Sequence, residues 1–280
     1  MLFKKSIEQG NVEDIRFVKG AVKFQSFELS VYCFETDGVM IDTASQSLYS
    51  LTKPFFETVN VDQVILTHNH EDHTGGARFF AEQQTPIFIH PDSVEAVNQR
   101  VNYPLYRKLF WGSRKPFSAN PLSQTFTSRK ASWEVIETPG HTKDHVSLLN
   151  LSTGKLFTGD LFVSPKTKVI LKDESIPEIA RSIEKVLTYD FQQIVCNHAG
   201  IIQDGKQALR LKHENLLAFI DEVLQLQNRG MDKQQIHAQL FPKKYPIQSF
   251  SNGEWHSMHM VTSVLNDSII KGRILDGQTI

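Results

Sequence analysis

Two cysteines in 280 residues, no apolar run approaching the roughly 20 residues of a membrane span and a net charge of −1 set the first limits on this sequence. Two cysteines exclude a disulfide framework. Cys33 and Cys196 both lie in apolar, strand-like runs, where a buried free thiol is the expected state. The near-neutral balance excludes a chain that is polyelectrolytic throughout, although a local patch can still be basic. Acid is absent from Ala96 to Trp133 altogether. Internal repeats and low-complexity segments are also lacking. The opening Met1-Leu2-Phe3-Lys4-Lys5 carries charge with no apolar run of signal length behind it. A reducing cytoplasm is therefore the expected compartment, with no membrane partner. What is present is 40% hydrophobic content, enough to bury a sizeable core in one large domain or two modest ones.

The densest chemistry lies in Ile65-Leu66-Thr67-His68-Asn69-His70-Glu71-Asp72-His73-Thr74-Gly75-Gly76. Three histidines and two carboxylates fall within six positions, a density that packing alone does not require. Imidazole nitrogens and carboxylate oxygens are the ligand set of zinc and its first-row neighbours. Val61 to Leu66 alternates like a strand and Thr74 to Gln83 reads as a helix, so the ligands are expected on a strand-to-helix loop.

Upstream, Val12 to Val18, Phe27 to Phe34 and Gly38 to Ile41 read as three strands. Asp42 follows the third directly, where it either anchors loops under a site or caps a turn. Gln46 to Val59 reads as a helix interrupted by Pro54, and the rhythm continues with the strand Pro86 to Ile89 and the helix Ser93 to Gln99. Residues 100–130 break it. Pro104, Pro116 and Pro121 prevent long elements, while Tyr103, Tyr106, Phe110, Trp111, Phe117 and Phe126 are interleaved with Arg107, Lys108, Arg114 and Lys115. Such an insertion reads as a substrate lid, with Arg107, Phe110, Trp111 and Arg114 as its binding residues, or as a contact between copies of the chain in a homodimer.

Three more ligand candidates follow apolar strands. Ser132 to Glu137 leads into Thr138-Pro139-Gly140-His141-Thr142; the strands His145 to Leu151 and Lys155 to Phe157 lead to Thr158-Gly159-Asp160; and Gln193 to Cys196 leads to Asn197-His198-Ala199-Gly200. His145 is read as structural or as a residue that orients a ligand. Ser175-Ile176-Pro177-Glu178 reads as a helix-opening capping box. Beyond Gly205 the pattern is helical: Lys206 to Asn228, then Asp232 capping a helix to Leu240, then a last helix from about Glu254 to Lys271. The expected organisation is a catalytic domain over 1–204 with its insertion at 100–130, and a helical subdomain over 205–280.

His68, His70, Asp72, His73, His141, Asp160 and His198 outnumber the four ligands of one tetrahedral ion, so two metals are expected. One workable partition gives His68, His70 and His141 to one ion and Asp72, His73 and His198 to the other, with Asp160 bridging. Paired metals supply a hydroxide nucleophile and polarise a carbonyl or phosphoryl oxygen, which is hydrolytic chemistry.

His-x-His-x-Asp-His, Pro-Gly-His-Thr, Thr-Gly-Asp and the late histidine together resemble the metallo-β-lactamase superfamily, from about Val12 to Ile202. Within it, the run Thr138 to Leu148 and the helical C-terminal part resemble the group of glyoxalase-II-like thioester hydrolases, lactamase-like endoribonucleases and polyketide thioesterases. Two departures from the family pattern are Asn197-His198-Ala199-Gly200 in place of a Gly-His-Gly setting and Asp42-Thr43-Ala44 in place of Asp-Thr-Gly. The resemblance implies an α+β fold, an αββα sandwich with a dinuclear site at one edge, and the ligand partition given above.

The expected activity is that of a dinuclear zinc hydrolase, with manganese or iron as alternative metals. Metal-bound hydroxide attacks an ester or thioester carbonyl of an anionic or bulky, carrier-linked acyl substrate, and Asp72 orients that water or takes its proton. The alternative is an endoribonuclease acting on single-stranded RNA, with Phe110 and Trp111 stacking bases and the arginines contacting phosphates. An iron redox enzyme or a non-catalytic metal-binding module is disfavoured by the intact ligand set.

Overall fold

Charged residues on both faces of Phe3–Val12 hide a strand that the alternation pattern does not announce, and this strand opens the fold. A computed structural model describes residues 3–25 and 27–270. In it the expected strand Val12 to Val18 breaks at Glu13-Asp14, where Glu13 takes a left-handed φ of 54°. The result is a hairpin of β1 (Phe3–Val12) and β2 (Ile15–Phe24). β1 is an edge strand with mostly exposed or half-buried side chains, including Lys4, Lys5 and Glu8, and such an edge is protected by charge rather than by burial.

The described residues fall into two units, one built from 3–137, 144–163 and 191–203 and the other from 138–143, 164–190 and 204–270. In the first unit, β1 and β2 continue through β3 (Phe27–Thr36), β4 (Val39–Ile41), β5 (Gln63–Ile65), β6 (Ile87–Ile89) and β7 (Asn120–Pro121) as one seven-stranded sheet in sequence order. A second sheet takes β8 (Thr125–Thr127), β9 (Ser132–Glu137), β10 (Val146–Asn150), β11 (Lys155–Gly159), β13 (Gln193–Cys196) and β14 (Gly200–Ile202), in the order β14-β13-β11-β10-β9-β8. Ile15, Phe34, Ile41 and Ile65 of the first sheet and Trp133, Leu148, Phe157 and Val195 of the second form one buried cluster. The sheets thus share a core, closed by edge-on packing of Phe34 and Phe157 at 6.0 Å. Cys33 and Cys196 are buried free thiols within these strands.

The helices α1 (Tyr49–Thr58) and α3 (Ala77–Glu82) bury Phe55, Phe56 and Phe80, which pack ring to ring. The helix expected over Thr74 to Gln83 is divided. α2 (Glu71–Thr74) ends at Gly75-Gly76 and α3 starts after it. The cause is close approach: a Cβ on Gly75 would lie 2.1 Å from Gln46 N and one on Gly76 2.5 Å from Thr43 O. Residues 91–93 form a single 3₁₀ turn ahead of α4 (Val94–Val97).

Residues 100–130 contain more regular structure than their prolines suggest. They hold α5 (Leu105–Phe110) and then β7 and β8, which extend one edge of each sheet. The segment therefore belongs to both layers of the first unit.

In the second unit, Ser175 accepts a hydrogen bond from Glu178 N and starts α6 (Ile176–Leu187), which packs on α7 (Gly205–Asn228). Asp232 and Gln235 form a capping box that starts α8 (Lys233–Leu240). α9 (Pro246–Phe250) follows, and β12 (Ile170–Leu171) pairs with β15 (Trp255–His256) ahead of α10 (Ser257–Asn266). The last helix is shorter than Glu254 to Lys271, and Lys271 lies outside the described residues. The fold is α+β with C-terminal helices, as expected. Among the described residues no helix is long and apolar enough to cross a membrane.

Candidate metal centre

Parallel pairing places the ligand loops. β4 and β5 run parallel with Ile41 beside Ile65, and β11 and β13 run parallel with Gly159 beside Cys196. Each pair ends its strands together, so Asp42 emerges beside Leu66 to His68 in one sheet, and Asp160 beside Asn197 and His198 in the other.

Asp42 lies beneath the cluster and is fully buried. Its Oδ1 accepts the Thr67 amide at 2.8 Å, and its Oδ2 accepts the Thr67 hydroxyl at 2.8 Å and lies 2.8 Å from Nδ1 of His73. Of the two roles left open by the sequence, anchoring the loops is the one observed. Thr43 donates both its amide, at 2.7 Å, and its hydroxyl, at 3.0 Å, to the carbonyl of His73, and Gly75 N reaches Ala44 O at 2.7 Å. The loop 42–44 thereby grips α2 from behind.

The histidines are fixed the same way. Nδ1 of His198 lies 2.6 Å from Ser30 O, and Nδ1 of His68 lies 3.1 Å from the Thr67 hydroxyl. With Nδ1 engaged, Nε2 is the atom offered to a metal. Nε2 of His73 stands 3.3 Å from one oxygen of Asp160, and Nε2 of His198 stands 3.2 Å from the other. Asp72 Oδ2 is 3.7 Å from Nε2 of His198. His68, His73 and Asp160 form one group whose donor atoms lie within 4.8 Å of one another, and Asp72, His73 and His198 form another. His70 occupies the residue before α2, its ring 4.7 Å from that of His68. His141 belongs to the second unit, where its Nδ1 is 3.3 Å from Glu174 Oε2.

Burial pulls the imidazoles of His73 and His198 down, and nearby carboxylates, Asp160 first, outweigh it: His73 is held well above its ordinary value and His198 is pushed up to about 9. Each imidazole therefore sits where positive charge is favoured, which is where a cation belongs. The set of imidazole nitrogens and carboxylate oxygens, oriented from behind and converging at 3 to 4 Å, fits divalent metal, which takes the place of the protons on the imidazoles.

His145 is nearly fully buried and accepts the Asp160 amide at 2.9 Å through Nε2, so its ring braces the loop that carries Asp160. Gly159 leaves room for that contact: it has a φ of 50°, and a Cβ there would lie 2.6 Å from His145 Nε2.

Of the four expected substrate residues, the two aromatics are packed inside and the two arginines reach spacer residues of the motif. Phe110 is fully buried, with its ring against Phe3 at 5.2 Å and Phe27 at 5.6 Å, and Trp111 is nearly so. Arg107 pairs with Glu71 and Arg114 with Asn69. Sequence reasoning did not single out Thr67, Glu71 or Ser30. Thr67 and Glu71 sit inside the motif, but Ser30 acts through its carbonyl and leaves no signature in side-chain chemistry.

Residues 30–198 match the family model described as the metallo-beta-lactamase superfamily. The chain belongs to this superfamily. Superfamily members are metal-dependent hydrolases that typically bind two metals. Among relatives, the Beta-lactamase-like protein 2 homolog of Drosophila melanogaster is 32% identical over 166 residues, covering 57% of this chain and 52% of that protein. A probable metallo-hydrolase of Bacillus subtilis is 20% identical over 85% of this chain and 88% of its own length. A hydroxyacylglutathione hydrolase of Psychromonas ingrahamii is 27% identical over 61% of this chain and 60% of its own length. The chain thus spans little more than half of the fruit-fly relative. A metallo-beta-lactamase family protein from Thermus thermophilus superposes over 98% of this chain and 94% of its own with a TM-score of 0.62, at 16% identity, and so shares the fold.

Proposed function

We propose that this superfamily member is a two-metal hydrolase acting on an ester or thioester carbonyl. The observation that carries the reading is that Asp72, His73 and His198 already form one donor group while His68 and Asp160 converge on the same His73, more donors than one tetrahedral ion takes. We assign Asp72, His73 and His198 to one ion, His68, His70 and His141 to the other on the sequence motif, and Asp160 to both. When bound, such a pair activates a water and polarises the substrate oxygen. Zinc suits the nitrogen-rich set, and manganese or iron can occupy it according to supply.

Asp72 presents a carboxylate oxygen among the ligands, where it orients the attacking water and accepts its proton. Asp42, Thr67 and Ser30 keep the imidazoles in one tautomer and orientation. A thioester is favoured by the names of two relatives, the hydroxyacylglutathione hydrolase above and a thioesterase of Emericella nidulans that is 29% identical over 126 residues. The RNA reading relied on Phe110 and Trp111 as a stacking platform, and those rings are committed to packing. We retain a small or carrier-linked acyl compound as the substrate class and the cytoplasm as the compartment.

The experiment is hydrolysis of thioester, lactone, phosphodiester and RNA substrates side by side by protein supplied with zinc or with manganese. Turnover of a thioester or lactone, lowered about 100-fold or more in Asp160→Ala, is the expected result. Cleavage of RNA alone, or turnover equal in Asp160→Ala, would overturn the proposal.

A further inference from the structure

The metal motif has two spacer residues, Asn69 and Glu71, and each is held by an arginine from the segment that follows α4. Arg107 donates from Nε to Glu71 Oε1 at 2.5 Å and from Nη2 to Oε2 at 2.6 Å, a bidentate fork on a fully buried carboxylate. Arg114, itself only 3% exposed, donates from Nη1 to the Asn69 side-chain oxygen and from Nη2 to Ala96 O at 3.0 Å. Tyr103 faces the Arg107 guanidinium at 5.6 Å and Phe117 faces that of Arg114 at 5.8 Å, which fixes both planes.

The segment carrying these arginines is itself fastened. Ser47 donates its hydroxyl to Phe110 O at 2.5 Å and its amide to Trp111 O at 2.8 Å. Gly112, at a φ of 78°, permits the approach, since a Cβ there would lie 2.9 Å from Ser47 N. The same stretch presses on Gly75 through Ser45 and Gln46. One piece of scaffold therefore bears on the end of the ligand loop directly and on its middle through the arginines.

A four-residue helix has no stability of its own. Ligand geometry is needed to within about 0.5 Å, so α2 must be held from outside. The loop 42–44 holds its His73 end. We infer that Arg107 and Arg114 are positioning residues that hold the spacers, so that ligand placement over 68–73 depends on 105–114. This inference rests on the two-metal reading.

The test uses the full chain, with zinc affinity by chelator competition and the visible absorption of bound cobalt(II) as readouts. Arg107→Ala and Arg114→Ala are expected to weaken zinc about 10- to 100-fold and to shift the cobalt band. Arg107→Lys keeps the charge but not the fork, and is expected to leave zinc binding weakened. Where Arg107→Ala fails to fold, Glu71→Met with Arg107→Met removes both buried charges together and is read instead, with the same loss expected. Affinities within twofold of the parent and an unchanged cobalt band in these variants would overturn the clamp while leaving the metal reading intact. A parent protein that binds neither zinc nor cobalt overturns both.

Discussion

Asp42 Oδ2 lies 2.8 Å from Nδ1 of His73 and receives the Thr67 hydroxyl on the same oxygen, with all three residues fully buried. A carboxylate behind a ligating imidazole fixes its tautomer and raises its basicity. Asp42→Asn preserves a residue tolerant of the φ of 55° found here while removing the charge. Zinc affinity is expected to fall about 10- to 100-fold, measured by chelator competition. Affinity equal to the parent would reduce Asp42 to a turn residue.

Gly75→Ala is expected to destabilise the protein by about 1–3 kcal/mol in urea unfolding, because the new Cβ meets backbone atoms of Ser45 and Gln46 that have no flexible end to move. Gly154→Ala is the control. Nothing lies within 4 Å of a Cβ there, so only the strain of its φ of 66° remains, about 1 kcal/mol.

Phe110→Ala is expected to cost about 3–5 kcal/mol in the same assay. A ring exposed for stacking would instead lose ligand affinity with little change in stability, and that outcome would contradict its packing between Phe3 and Phe27.

Acid and alkali bracket the bond from Lys155 to Asp14, which joins β11 to the turn after β1. Partial burial works to raise the Asp14 carboxyl, but the Lys155 ammonium beside it holds it below its ordinary value of 3.8. Its stabilising contribution is therefore present above that value and lost as pH falls through the lower, folded value. Partial burial works against the Lys155 ammonium, and the Asp14 and Glu13 carboxylates raise it above 10.5, so its share is present below that pH and lost on going higher. Asp14→Asn should flatten the acid limb of unfolding free energy against pH below about 4, and the exposure of the Asp14 carboxylate, opposite a buried Lys155, makes the effect small and salt-dependent. An acid limb identical to the parent's would remove Asp14 from the account.

The ligand loops were legible because imidazoles and carboxylates after apolar strands have no simpler explanation; the strands ending at Ile41 and Cys196 fell at their expected ends, and β5 stops at Ile65, one residue short of the expected Leu66. β1 was not, because an edge strand stabilised by pairing alone carries no alternation to read. The division of α2 from α3 was also hidden: Gly75 and Gly76 look permissible inside a helix until the chain at Thr43 to Gln46 is known to cross them. Arg107 illustrates the limit most clearly. Its charge and aromatic neighbours suggested a ligand surface, whereas its partner is Glu71, 36 residues earlier, a pairing that only the folded chain reveals.

Metal content is the most direct test of the central claim. Protein loaded with zinc and dialysed against metal-free buffer should retain about two ions per chain by elemental analysis, and His198→Ala and His68→Ala should each lower that number. Fewer than one ion per chain in the parent, or a content unchanged from the parent in both variants, would contradict a two-metal site.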